Sequence, residues 1–319
     1  MKNLMIYCCL PLLICIQACA QKQNKKEQKL TTMEDKLPQY PKDKQISYIV
    51  HLNSKTPFEL YLDDNLVDWE WRSGFNKSVE LNPFLLNNGT HILKIRFSPP
   101  ESNEDKLIHP TDIIADKNVK WNLYFVKLKK DDAGPLGYEG KIDYPSSELP
   151  IIAPPANVPV WEQEFKVEVA GLPYKLKGWS DGEDLSKLDQ KVLEKEAFTY
   201  FNNLRNLLND GKVKEFMALN KTNDFETSVS NYDNQEQYDE DYRENVELLT
   251  KKCKGNMQSI DNYVMKLYGH GKILRLEIPQ GKYKHWSALM SDSKKYGKSS
   301  WGIMVYRHKG SKDFVIIRK

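Results

Sequence analysis

From residue 46 to about residue 170 the chain alternates apolar and polar positions with a period of two. Ile46-Ser47-Tyr48-Ile49-Val50-His51-Leu52 opens the pattern, and Phe58-Glu59-Leu60-Tyr61-Leu62 repeats it before stopping at Asp63-Asp64-Asn65. Val79-Glu80-Leu81 leads to Asn87-Asn88-Gly89, after which Ile92, Ile95 and Phe97 resume it. Later runs are Val119 to Leu128 and Trp161 to Val169. Short alternating runs bounded by Asn, Asp, Gly and Pro predict an antiparallel β-sandwich. Residues 129–160 break the pattern with Pro135, Pro145, Pro150, Pro154, Pro155 and Pro159. Such proline density favours an extended crossing of the surface, so this stretch is read as an insertion before the last strand of the sandwich.

After Gly171 the period changes to that of a helix. Leu185, Leu188, Val192, Leu193, Ala197, Phe198, Phe201, Leu204, Leu207 and Leu208 form one stripe, started by Asp184 or Ser186 and stopped by Asn209-Asp210-Gly211. A short helix is expected over 213–219 and a third over 235–254, with Tyr238, Tyr242, Val246, Leu249 and Cys253 on one face. Strands are expected over 261–268, 272–278, 285–289, 301–307 and 314–318, with turns at Gly269-His270-Gly271 and Lys309-Gly310-Ser311. Helices followed by an antiparallel sheet define a segregated α+β domain over 171–319, after a sandwich over 46–170.

Two resemblances refine this picture. The run Leu60-Tyr61-Leu62-Asp63-Asp64-Asn65, then Leu81, then Asn88-Gly89-Thr90-His91-Ile92-Leu93-Lys94-Ile95 resembles bacterial immunoglobulin-like and PEGA-type surface modules. That implies a structural or binding module. The long helix followed by Asn209-Asp210-Gly211-Lys212-Val213 and Phe216-Met217-Ala218-Leu219 resembles the opening of the NTF2-like cone. It implies helices in the hollow of a curved sheet, a fold that hosts enzymes and inert binders alike.

The amino-terminal 19 residues carry one Lys2, a short apolar stretch and small residues, the layout of a secretory signal rather than a bilayer span. Ile16-Gln17-Ala18-Cys19 resembles the lipobox of bacterial lipoproteins, although Gln17 departs from the usual small or aliphatic residue. The resemblance implies lipidation of Cys19, attachment to the cell envelope and, because Ala20 is not aspartate, the outer membrane. Residues 20–45 then read as a flexible tether. Of the five cysteines, Cys8, Cys9 and Cys15 leave with the signal and Cys19 is lipidated, so Cys253 remains as a single thiol with no disulfide partner.

Chemistry is harder to find. With 319 residues, 40 % apolar side chains and a net charge of +3, the chain suits two ordinary domains, and the charge does not call for nucleic acid. Strong catalytic and phosphate-binding motifs are absent. Tyr268-Gly269-His270-Gly271-Lys272 contains a GxGK string, but it sits between strands instead of leading into a helix. None of the six histidines pairs with another at metal-ligand spacing. Asp181, Glu183 and Asp184 suit a helix start, and calcium fails because the position needing a distal Glu is Val192. No metal and no cofactor is expected.

Charge is distributed unevenly. Residues 257–319 hold 13 basic against 4 acidic side chains, whereas 46–170 hold 13 against 19. A solvated sheet face would account for charge but not for its sign. The excess predicts a surface that steers an acidic partner, and that partner could be the protein's own sandwich. The reading is a lipid-anchored envelope binding protein without catalysis, of an immunity or inhibitor type, using Arg275, Tyr283, Lys284, Trp286, Trp301 and Arg307. The rival is an enzyme or small-molecule binder with a pocket in the cone. A glycan platform on Trp69 and Trp71 is a third reading; a cone filled by Phe198, Phe201 and Leu204 favours the first.

Overall fold

The computed structural model describes residues 36–54, 56–71, 74–99, 121–132 and 141–318. The signal, the lipobox, Cys19 and most of the tether therefore lie outside the described residues, as do His109 and Pro135. Residues 1–38 and 39–319 group as two units.

Eight strands build the first half: β1 (Ile46–Ser54), β2 (Phe58–Leu62), β3 (Asn65–Glu70), β4 (Phe75–Glu80), β5 (Gly89–Phe97), β6 (Asn122–Lys129), β7 (Glu148–Leu149) and β8 (Trp161–Val169). They form two four-stranded antiparallel sheets, β4-β1-β6-β7 and β3-β2-β5-β8. The alternation seen in the sequence sets the register. Leu60 opposes Ile95 and Leu93 opposes Phe165, and all but Phe165 are fully buried. The β2–β3 turn is Asp63-Asp64, both at positive φ (47° and 64°), as a two-residue hairpin turn demands. Asp63 also accepts the Ile92 N–H and a His91 nitrogen, which locks that turn onto β5. Order begins before residue 46: a 3₁₀ turn spans Lys42–Lys44 and the Tyr40 ring meets Tyr232 edge-on at 5.8 Å. A single helical turn, α1 (Tyr144–Ser147), interrupts the proline-rich insertion.

The second half has three long helices, α2 (Gln190–Asn209), α3 (Val213–Asn231) and α4 (Gln235–Cys253). Asp189 caps α2 through the N–H groups of Lys191 and Val192, so the helix starts five residues later than Asp184 would start it. Asp184 caps the preceding 3₁₀ turn, Leu185–Lys187. The strands are β9 (Val264–Tyr268), β10 (Ile273–Glu277), β11 (Met290–Ser293), β12 (Gly297–Ser300), β13 (Met304–Tyr306) and β14 (Val315–Ile317). One antiparallel sheet has the order β14-β13-β10-β9, and β11-β12 is a separate hairpin. The expected strand over 285–289 is instead irregular backbone with one isolated bridge, Ser287 to Glu277. Gly269-His270-Gly271, all at positive φ, makes the β9–β10 turn.

The four-stranded sheet is a middle layer. Leu274, Leu276, Val305 and Ile316 share a core with Phe201, Leu204 and Leu208 of α2, so the helix covers one face of the sheet. Their alternate neighbours Ile273, Met304, Tyr306 and Ile317 pack on Leu66, Tyr61 and Trp69 of the first half. The sheet is therefore covered on both faces, which is why β10 is buried at every position. The strand-rich half covers most of the face expected to be solvated and leaves Lys266 of β9 exposed. Among the described residues the result is a mixed α+β protein built from antiparallel sheets and four helices.

Candidate functional site

Two turns bring the halves into register. The β2–β3 turn docks on the β9–β10 turn: the Asp64 carbonyl accepts the Gly269 N–H at 3.2 Å and its carboxylate accepts the His270 N–H at 3.0 Å. Because side chains alternate, β10 then directs Arg275 and Glu277 at the strand-rich half, and β2 directs Glu59 back. His285 stands between the carboxylates. Its Nε2 lies 2.8 Å from Glu59 Oε1 and its Nδ1 lies 3.0 Å from Glu277 Oε1. His285 has φ +64°, a backbone state uncommon for a residue with a Cβ.

Every oxygen in this cluster has partners. Glu59 Oε1 also receives Lys284 Nζ at 3.3 Å. Glu59 Oε2 accepts from the Tyr61 hydroxyl at 2.6 Å and from Arg96 at 3.3 Å. Glu277 Oε2 accepts from the Tyr268 hydroxyl at 3.0 Å. Arg275 donates to the His285 carbonyl and lies 5.8 Å over the Trp69 ring, whose own edge-on contact with His285 is 5.6 Å.

Burial alone would raise the Glu59 carboxyl, but hydrogen bonds from His285 and Tyr61 and the charges of His285 and Lys284 hold it well below the usual carboxylate range. Burial would likewise lower His285; its hydrogen bonds to Glu277 and Glu59, and their charges, outweigh that and raise it. An imidazolium that donates both N–H groups to carboxylates has no lone pair to offer, so this histidine is a poor general base. The Tyr61 and Tyr268 hydroxyls are pushed up, chiefly by burial and then by the adjoining glutamates.

Beside the cluster opens a polar cleft of about 280 Å³, walled by Glu59, Tyr61, Lys94 and Arg96 from the first half and by Lys266, Tyr268, Glu277 and Lys284 from the second. The six residues expected to form one partner surface are dispersed, and only Lys284 lines the cleft. Arg275 and Arg307 are each only 4 % exposed and so are not surface residues. Arg275 belongs to the buried cluster; Arg307 lies on the helical side, 2.8 Å from Glu196 and 3.9 Å over the Phe314 ring. Tyr283 and Trp286 form a half-buried ring pair at 4.7 Å, with Nζ of Lys282 and of Lys298 each 5.3 Å from the Tyr283 ring. Trp301 sits against the helical core, its indole N–H on Ser291. Trp69 and Trp71 line a recess of only about 10 Å³ together with Glu59, Lys284 and His285. Trp69, partly buried, is engaged by Arg275 and His285.

Glu59, Glu277 and His285 were not among the expected site residues. Their signal in the sequence is a charge inside an otherwise apolar strand, Phe58-Glu59-Leu60 and Leu274-Arg275-Leu276-Glu277. Cys253 is fully buried and burial pushes its thiol up to about 12, as suits a packing residue. Among the described residues no group of side chains is arranged to hold a metal ion, and no helix is long and apolar enough to cross a membrane. Comparison with protein-family models, curated proteins and solved structures finds no match for the chain.

Proposed function

We propose that the chain is a non-enzymatic binding protein of a bacterial cell envelope, anchored through lipid on Cys19 in the outer membrane. Its two halves are then an immunoglobulin-like sandwich and an NTF2-like cone, the sandwich serving as spacer and the cone's edge as the recognition surface. The carrying observation is the strip Lys282, Tyr283, Trp286 and Lys298, where two ammonium groups flank a half-buried aromatic pair. Aromatic anchors rimmed by cations suit an acidic protein partner, such as one held in check by an inhibitor or immunity protein. The apolar core under α2 and the doubly bonded His285 support binding over catalysis.

The test is capture from envelope extracts at low salt, with the full chain in detergent beside the double variant K282E/K298E. A partner retained by the parent chain and lost by the variant supports the proposal. Equal retention by both, or no enriched partner, overturns it. Anchoring is checked by fractionation: Cys19→Ser should move the chain out of the membrane fraction, since stable attachment depends on acyl chains.

A further inference from the structure

The polar cleft carries a second reading, independent of the aromatic strip. Five cationic side chains line it (Lys94, Arg96, Lys266, Lys284 and His285) against four carboxylates: Glu59, Asp64, Glu162 and Glu277. All four carboxylates are already engaged. Glu59 and Glu277 hold His285, Glu162 meets Arg96 at 3.2 Å, and Asp64 accepts the His270 N–H. Lys94 and Lys266 are different. Among the described residues neither meets a carboxylate; Lys94 Nζ lies 4.8 Å over the Tyr61 ring, and Lys266 is exposed. They project from opposite halves, Lys94 from β5 and Lys266 from β9, into one cleft.

His285 makes that charge available. Its one charge is shared between Glu59 and Glu277, occupying one oxygen of each, so the five cationic groups outnumber the four carboxylates by one. Its left-handed backbone adds a second sign, because strained conformers tend to be kept where a site is pre-organised. The volume, about 280 Å³, lies just under the range of ordinary small-molecule pockets, and its walls are mainly polar.

We infer that this cleft binds a small dianion of the phosphate-monoester class, clamped between Lys94 and Lys266 with Arg96 and Lys284 beside it. A compact, strongly hydrated ammonium is suited to phosphate as a point charge, and two from opposite walls select a doubly charged group.

Isothermal titration calorimetry of the full chain in detergent tests this with three probes: glycerol 3-phosphate, inorganic phosphate and succinate. Saturable binding of glycerol 3-phosphate is expected, weakened at least tenfold by Lys94→Met or Lys266→Met and abolished by both together. Lys309→Met, in the β13–β14 turn, should leave it unchanged. Circular dichroism melting establishes that the variants are folded, which is expected because neither lysine is in the core. Absence of saturable heat with glycerol 3-phosphate overturns the proposal. So does undiminished binding by the folded double variant, or tighter binding of succinate, which would place a dicarboxylate there instead.

Discussion

Two charged clusters join the strand-rich half to the helix-bearing half, and they are built on opposite plans. At the cleft, Glu59 reaches His285 across the seam beside a solvent-accessible opening. At the other end, Arg318 is fully buried, with Nε 3.6 Å from Glu226 and a terminal nitrogen donating to the Leu85 carbonyl at 3.2 Å. Its guanidinium also lies 5.7 Å over the Trp179 ring. One cluster depends on a titrating imidazole, the other on a guanidinium that keeps its charge at any ordinary pH. The same structural task thus yields one pH-sensitive joint and one that pH barely touches.

Removing the buried arginine breaks the comparison most severely. Arg318→Ala strands Glu226 without its partner and should cost about 3–5 kcal/mol, read as a lowered midpoint in urea at unchanged m-value. His285→Gln comes next, at about 2–3 kcal/mol near pH 6, because hydrogen bonds to two carboxylates are lost while Lys284 and Arg96 still attend Glu59. Its cost should depend on pH. The folded-state value of His285 is raised above 6.5, so its stabilisation is complete below 6.5 and fades as pH rises through that raised value. Glu59 is held below 4.5, so its contribution is complete above 4.5 and fades only as pH falls through its lowered value. The gap between parent and H285Q should therefore be widest between about pH 4.5 and 6.5 and narrow above it, whereas the gap for R318A should not narrow as pH rises from about 6.5 to 9. A gap for H285Q that does not change with pH would refute the imidazolium assignment. The smallest effect belongs to Lys284→Met: it touches Glu59 from the wet side and should change stability by under about 1 kcal/mol, less still in high salt.

The same contrast explains what could be read from the sequence. In the first half β1, β2, β5, β6 and β8 were legible because alternation and turn residues agree, down to Asp63-Asp64, and in the second half the turn Gly269-His270-Gly271 was legible too. α2 was legible because Leu193, Ala197, Phe201, Leu204 and Leu208 repeat at helical spacing. α3 was expected to stop at Leu219 and runs on to Asn231. Its buried residues past that point are Asn220, Glu226, Ser228, Val229 and Ser230, polar but for Val229, which hydrophobic periodicity does not register. The β11–β12 hairpin was missed for a similar reason: Ser291, Asp292, Ser293 and Lys298 offer no apolar alternation. The charge excess of 257–319 was visible, but not that Arg275, Arg307 and Arg318 turn inward. That depends on which half lies against which face, a fact written in no local pattern. Across the seam, Glu59 of the first half receives both Lys284 and His285.

The seam has a consequence for the order in which the molecule assembles. His285 and Glu59 are 226 residues apart along the chain, and Arg318 and Leu85 are 233 apart. Contacts so remote are entropically expensive before both partners are largely folded, so they belong to the final docking step rather than to the nucleus. Refolding of R318A should then proceed within about twofold of the parent rate, while its unfolding accelerates a hundredfold or more. The charged joints act as a ratchet engaged last: they do little to hurry the chain into its fold and much to delay its leaving.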